Sequence, residues 1–473
     1  MKKALAFILA LVMVFALVAC GEKKPSGGEE NEKGVVAGSN KSASGETDKD
    51  VYIDFWGVWA QDNKKSQYWI QKAEEFCAQY EKDTGISVAF EYFGQGSYQK
   101  LSEKLAAGAV TNELPVISQI EDQATATFYT LAADLSKYLS KEAIDNYMDG
   151  LLVSCTQKGV LRAVPAGRSY VLCTVNVDLL EQAGHKLEEL DTWTWDDYVK
   201  ITTDIAALGD DIYGTTIYWD EDAWPWESAL YSEGGNIDNE DGTKIVFADD
   251  GGKAAAKVVS MYVDLVNKGV AFNDLVNVTM PGDADWYPLW ADGKLGMYIA
   301  SITSYKSGMN HRDGREGGSL GFRMAAAHQP AGAAGFSVVT GGSNMMIMDS
   351  ATETQKKIAA AYFEYLAQDD NAAEWMDVSG YMAVTEGVRN SEAFKKVTEA
   401  DPNLLYIYEH SSEAHARPTT AKWQEMYLNV LMQGEGSLFD ISVHPDQWTD
   451  PAKVEAQVCK WAEACQKIID EAA

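Results

Sequence analysis

Two hydrophobic periods alternate along most of this chain. Val51-Tyr52-Ile53-Asp54-Phe55-Trp56 is a short apolar run that reads as a buried strand. Trp69, Ala73, Phe76 and Tyr80 then recur at helical spacing. Ile86 to Phe93 is rich in β-branched and aromatic residues and predicts a second strand. Leu101 and Leu105 belong to a second helix, and Val116-Ile117-Ser118 to a short third strand. A βαβαβ order implies a mainly parallel sheet with helices on its faces. Ala163-Val164-Pro165 and Tyr170 to Val177 form a further extended pair, where the chain is expected to cross between domains.

The middle of the chain turns helical. Thr194-Trp195-Asp196-Asp197 reads as a capping box opening a helix through Val199 and Ile205. Pro225 predicts a loop before a helix. Asp241-Gly242, between polar and β-branched residues, predicts a hairpin turn. Asp249 or Asp250 is expected to cap the helix carrying Val258, Met261 and Leu265. Beyond Met297-Tyr298-Ile299 the pattern to Gly318 is mixed, and the Gly/Ala-rich stretch to Gly342 gives no assignment. Val454, Val458, Trp461, Cys465 and Ile468 form one apolar stripe on a C-terminal helix. No internal repeat is visible.

The first fifty residues follow different rules. Lys2 and Lys3 precede an apolar run from Ala4 to Ala19, shorter than the roughly 20 residues that span a bilayer. A basic start, an apolar stretch and small residues at the cut make a secretory signal over residues 1–19. Leu17-Val18-Ala19-Cys20 followed by Gly21 resembles the lipobox of bacterial lipoproteins. That resemblance implies that Cys20 becomes a diacylated N-terminus (the palmitate class of modification), and two acyl chains anchor stably where one does not. Gly21 to Asp50 is too polar to offset its ordering entropy and reads as a flexible linker, with a reach of about 30 Å. The folded body therefore starts near Val51. It is long enough for two domains, and nothing in it approaches a second membrane span.

Charge narrows the partners. The chain carries 39 basic and 71 acidic residues, a net charge of −32. Nucleic-acid binding needs phosphate neutralisation by Lys and Arg and is excluded as a general role. Membrane contact is expected through the lipid anchor only. Setting Cys20 aside leaves Cys77, Cys155, Cys173, Cys459 and Cys465, an odd number with no CxxC. Most read as small buried hydrophobes. The six histidines show no metal spacing, so no metal and no cofactor are expected. GxSxG, HExxH and Walker A motifs are missing, and no carboxylate pair is fixed at a catalytic separation. An enzyme, for instance a surface glycosidase, is thus the disfavoured reading.

Several segments together are similar to the extracellular solute-binding proteins of ABC importers. Leu161-Arg162-Ala163-Val164-Pro165, then Asn176-Val177-Asp178-Leu179-Leu180 through Gly184, then Thr194-Trp195-Asp196, resemble "G-x-x-x-x-x-P", "Y-N-x-D-L-F-x-x-A-G" and "P-x-T-W-x-E". Leu289 to Met297 resembles "F-x-x-G-x-x-A-M", and Gly341-Gly342-Ser343-Asn344-Met345 resembles "G-G-x-x-x-x-I". Ala361 to Trp375, with Ser379 to Val384, resembles the family's late helical segment ending "G-x-x-P-V". The chain departs at Cys173-Thr174-Val175, where aromatics are usual, and at Ala383, where proline is usual. The branch suggested is the carbohydrate and glycerol-phosphate group.

This resemblance implies an α/β, two-lobe periplasmic-binding-protein-like fold of type II, each lobe a sheet flanked by helices, with ligand in a cleft between lobes. The expected division is 51–170 plus 301–340 for the N-terminal lobe and 171–300 plus 341–473 for the C-terminal lobe. Crossings are expected near 168–175, 298–303 and 338–343. The implied role is a monomeric, membrane-anchored, extracytoplasmic protein that captures a sugar and delivers it to an ABC permease. A glycerol phosphate or phosphodiester is the alternative ligand, and a sensor the alternative partner.

The ligand residues expected are these. Sugars present CH faces to indoles and hydroxyls to carboxylates, which singles out the run Tyr218 to Glu227. Trp219 and Trp224 are assigned to the ligand, and Trp226 to the interior. Glu121 and Asp122 follow the third strand, where ligands of open α/β sheets gather. Gly342 follows a Val-Val strand and offers backbone N–H groups to an anion or hydroxyl, or is a plain turn. Arg417 matches by position the ligand arginine of the glycerol-phosphate branch, and Arg168 falls where the first crossing meets the cleft. Two arginines would suit a phosphate or carboxylate, or else bind surface carboxylates. Tyr98 and Tyr381 complete the set.

Overall fold

The computed structural model describes residues 48–217, 224–273, 286–314, 321–410, 414–416, 420 and 422–472. The signal run, Cys20, the linker to residue 47, Trp219 and Arg417 lie outside the described residues. The principal elements are β1 (Val51–Gly57), α1 (Lys64–Thr84), β2 (Val88–Gly94), α2 (Tyr98–Thr111), β3 (Ile117–Glu121), α3 (Asp149–Cys155), β4 (Val164–Asn176), α4 (Trp195–Ala206), α5 (Trp224–Ser232), α6 (Lys253–Asn267), β5 (Met297–Ser301), α7 (Ile302–Asp313), β6 (Met324–Ala327), β7 (Val338–Ile347), α8 (Glu353–Leu366), α9 (Asp369–Ser379), α10 (Trp423–Met426) and α11 (Pro451–Ala472). The chain folds into two compact units. The first holds the residues up to Arg168, Gly342–Val378 and Ala383–Lys395; the second holds Ser169–Gly341, Ser379–Met382 and Lys396 onward.

The first unit is built on the expected βαβαβ run. β1 pairs in parallel with β2, Val51 opposite Val88, and with β3, Phe55 opposite Ile117. Asn63 opens α1 by accepting from the Lys65 N–H at 2.9 Å, and Gly85 ends it in the left-handed region at φ 74°. The residues between supply the predicted apolar face. Trp69, Ala73 and Phe76 are buried. Trp69 packs on Phe55 with ring centroids 5.1 Å apart and stacks on Trp375 at 5.0 Å. Its carbonyl accepts from the Tyr362 hydroxyl at 2.8 Å, which locks α8 to α1. The fourth strand of this sheet arrives from far along the chain. Residues 343–347 of β7 run antiparallel to β3, with Ser343 opposite Glu121 and Ile347 opposite Ile117.

In the second unit β4 is the centre. From Val171 to Asn176 it pairs antiparallel with β5 and with β6. The predicted capping box forms: Thr194 and Asp197 exchange side-chain and backbone hydrogen bonds at the start of α4. Trp195, Tyr198, Ile201 and Ile205 then face inward. Asp250 accepts from the Lys253 and Ala254 N–H groups at 3.0 and 2.9 Å, while Gly252 holds the N-cap position of α6. The Asp241-Gly242 turn is closed by a single antiparallel bridge between Asp238 and Ile245. On α11, Val454, Val458, Trp461 and Cys465 are buried as the stripe predicts, and Ile468 packs beside them. Cys77, Cys155, Cys173, Cys459 and Cys465 are all free thiols, and burial pushes the Cys155 thiol up to about 11 and that of Cys465 to about 12.

The domain boundaries differ from the expected ones. Residues 301–340 belong to the second unit, because β6 pairs with β4 and because β5 runs directly into α7. Ser301 caps that helix by accepting from the Thr303 N–H at 3.3 Å, so 298–303 is a strand-to-helix junction rather than a crossing. Residues 342–378 belong to the first unit through the β3–β7 pairing. The chain passes between units at 168/169 and 341/342, inside two of the expected windows, and again at 378/379, 382/383 and 395/396.

The aromatic packing of α1 makes a direct prediction. Replacing Trp69 with Ala should destabilise the first unit by about 3–5 kcal/mol, read as a lower urea midpoint. A change below 1 kcal/mol would mean that the Phe55–Trp69–Trp375 cluster is not the anchor of this core.

Candidate functional site

The carboxyl ends of β1 and β3 lie side by side in the first unit, because the strands are parallel neighbours. Such ends are where open α/β sheets bind ligands. Glu121 closes β3, and Asp122 follows it; both are partly exposed. Asp122 is fixed by its own backbone: its N–H donates to the Gly342 carbonyl at 3.0 Å, and its carboxylate accepts from the Gln123 N–H at 2.8 Å. The first two sequence-assigned carboxylates and Gly342 therefore meet at one point. Gly342 has φ 152°, and a Cβ there would sit 2.2 Å from the Gly167 carbonyl oxygen. Only glycine allows this close approach.

Tyr98 is the first residue of α2, which Ser97 caps by accepting from the Lys100 N–H at 3.2 Å. Its hydroxyl accepts from the Gln119 amide at 3.2 Å. Trp59, two residues past β1, joins the same unit's aromatic packing, 5.0 Å from Trp69 and 6.0 Å from Trp375, yet stays partly exposed. The sequence assignments missed Trp59 and Gln119. The rule that picked Glu121 and Asp122 after β3, applied equally to β1, points to Trp59. Strand alternation from Glu121 points back to Gln119.

The charged groups nearby have clear physical states. Lys104 lies over the Trp56 ring at 4.1 Å and donates to Gln95 at 3.0 Å; burial holds its ammonium below the ordinary lysine value. Asp54 accepts from the Val116 N–H at 2.7 Å, and its burial raises the carboxyl. Lys65 sits over the Trp59 ring at 5.1 Å, and burial lowers its ammonium to about 8.

Arg168 has a different surrounding from the one assigned to it. It is 2% exposed. One terminal nitrogen donates to the Gly167 and Ser343 carbonyls, at 3.2 and 3.1 Å. The other donates to the Leu151 carbonyl, Ser154 Oγ and Asn344 Oδ1, at 3.3, 2.9 and 2.9 Å. The guanidinium thus ties α3 to β7 within the first unit. Burial and these five acceptors explain why a residue at the sequence position of a ligand contact is instead a brace.

In the second unit, Trp224 opens α5 and is 8% exposed. Trp226 is fully buried and stacks on Trp423 of α10 at 6.3 Å. The Trp423 indole donates to the buried carboxylate of Glu227. Tyr381 is 7% exposed, and its N–H donates to Ser379 Oγ at 3.0 Å. The assignments of Trp219 and Arg417 lie outside the described residues. Among the described residues no group of three or more His, Cys, Asp or Glu side chains is placed to hold a metal ion, and no helix is long and apolar enough to cross a membrane.

Comparison with known proteins adds to this geometry. The profile of a family described as bacterial extracellular solute-binding protein matches residues 75–404. Among solved structures, a maltose-bound MalE3 of T. maritima is 18% identical with a TM-score of 0.70, over 87% of this chain and 99% of that one. UgpB from Mycobacterium tuberculosis, in complex with glycerophosphocholine, is 17% identical with a TM-score of 0.68, over 87% and 98%. A cyclic alpha-maltosyl-1,6-maltose binding protein from Arthrobacter globiformis is 19% identical with a TM-score of 0.66, over 88% and 99%. At these identities the likeness establishes the fold: the α/β architecture is that of the two-lobe binding proteins.

Two predictions come from the charged groups. Arg168→Lys removes the planar fork while keeping the charge, and should cost about 2–3 kcal/mol of stability in urea unfolding. A neutral outcome would show that the brace is dispensable. For Lys65, between pH 8 and 10 the unfolded chain holds a proton that the folded chain releases, so this residue makes stability rise with pH. The stability of wild type relative to Lys65→Met should therefore rise from pH 8 to 9.5 in parallel urea titrations; a constant difference would refute the lowered ammonium.

Proposed function

The chain belongs to the bacterial extracellular solute-binding protein family, and we propose that its solute is a neutral carbohydrate, captured against the ends of β1 and β3 and delivered to an ABC importer. Family membership supports a binding role rather than catalysis. The observation that carries the carbohydrate reading is the composition of that strand end. Glu121 and Asp122 offer carboxylate acceptors for hydroxyl groups, and Tyr98 and Trp59 offer flat faces for ring CH groups. Arg168, the cation that would favour a phosphate, is enclosed by protein acceptors. An acidic rim repels a phosphodiester and accepts hydrogen bonds from a polyol. Trp224 and Tyr381 of the second unit, together with Trp219 and Arg417, remain proposed contacts.

The same reading places the protein outside the cytoplasm, held by a diacylated Cys20 and a polar leash. Two acyl chains make this anchoring stable, so a Cys20→Ala variant should move from the membrane to the soluble fraction. Retention at the membrane of that variant after the apolar run Ala4–Ala19 has been removed would overturn the anchor.

The decisive measurement is calorimetric titration of residues 48–473 with neutral mono- and oligosaccharides and with glycerol phosphates. We expect micromolar Kd for a neutral saccharide, no turnover, and a loss of about tenfold or more in Asp122→Ala, roughly 1.4 kcal/mol. Binding of phosphorylated glycerols alone would replace the carbohydrate reading with the phosphodiester one. Turnover of a saccharide would replace binding with catalysis.

A further inference from the structure

Gln119 lies in β3, two residues before Glu121, and is fully buried. Its single side-chain amide makes contacts on two other elements. Oε1 accepts from the Val58 N–H at 3.0 Å, immediately past β1. Nε2 donates to the Tyr98 hydroxyl oxygen at 3.2 Å, at the start of α2. Chemistry fixes this orientation: the Val58 N–H can only donate, so the amide oxygen must face it and the amide nitrogen must face Tyr98. The Tyr98 oxygen therefore accepts, and its one proton points away from Gln119. Backbone bonds tie the same corner together, from the Gln95 N–H to the Gly57 carbonyl at 2.8 Å and from the Gly96 N–H to the Val58 carbonyl at 2.7 Å. The exits of β1 and β2 and the first turn of α2 thus form one bracket with Gln119 at its centre.

We propose that Gln119 is a positioning residue for ligand capture, setting the spacing between Tyr98 and the Val58–Trp59 segment and the direction of the Tyr98 hydroxyl proton. This rests on the reading that ligand binds at the ends of β1 and β3. Gln119 touches no ligand in this role; it holds two walls of the site through one buried amide. A buried polar group that joins three elements is a rigid device, because an unmatched donor or acceptor there is costly.

Three variants test it in the intact body. Gln119→Glu keeps an acceptor for Val58 and replaces the donor to Tyr98 with an acceptor, so the Tyr98 proton turns inward. Gln119→Met removes both bonds at similar volume. Tyr98→Phe removes the hydroxyl. Without any ligand, hydrogen exchange at the Val58 amide should accelerate at least tenfold in Gln119→Met and change little in Gln119→Glu. With the saccharide that binds best, Gln119→Glu should weaken Kd by about tenfold, mainly through faster dissociation. That loss should vanish in the Tyr98→Phe background, because the two changes act on one hydroxyl. Unchanged Val58 exchange in Gln119→Met overturns the bracket. Additive effects of Gln119→Glu and Tyr98→Phe on Kd reduce Gln119 to a structural residue and overturn its positioning role. Failure of every saccharide to bind counts against the capture reading alone, and the exchange arm still decides the bracket.

Discussion

The antiparallel pairing of residues 343–347 with Ile117–Glu121 is the constraint on which the first unit depends. It brings a strand from late in the chain beside one formed early, and it fixes three features together. Gly342 comes against Asp122 and the Gly167 carbonyl, where a side chain would collide. Ser343 and Asn344 become acceptors for the buried Arg168 guanidinium. The end of β3, with Glu121 and Asp122, acquires a wall on one side, while parallel β1 supplies the other. Long-range strand pairing of this kind is also the slowest part of folding, since loop closure precedes the contacts that reward it.

The chemistry of the candidate site follows from which charges are enclosed and which stay partly exposed. A buried guanidinium demands acceptors, and Arg168 finds five of them in α3 and β7 and in its own neighbour Gly167. It contributes cohesion. The carboxylates at the end of β3 remain partly exposed, and Gln119 of the same strand bonds Tyr98 and the backbone next to Trp59. An acceptor-rich, aromatic corner suits a hydroxylated solute, and the net charge of −32 points the same way.

The residues proposed for the site stand on different footings in the sequence. The place of Glu121 and Asp122 at the end of β3 was legible because the strand itself is visible in its apolar run. Trp59 followed from the same logic but lay beyond the strand's predicted edge. Gln119 shares a strand face with Glu121, but its role was not legible, because a glutamine in a strand has no fixed meaning until its two hydrogen-bond partners are known. Trp226 was legible as interior and is fully buried.

By itself the sequence determined the βαβαβ start, the capping box at Thr194, the stripe on α11 and the family. These depend on local periodicity, on short-range hydrogen bonds and on the order of motifs along the chain. Only the tertiary structure decided that residues 301–340 join the second unit and 342–378 the first, that Arg168 is a brace, and that Gln119 ties Val58 to Tyr98. Those outcomes rest on contacts between residues tens to hundreds of positions apart. Local sequence carries no record of which distant acceptor a buried donor will meet; the packing of strands and helices together settles it.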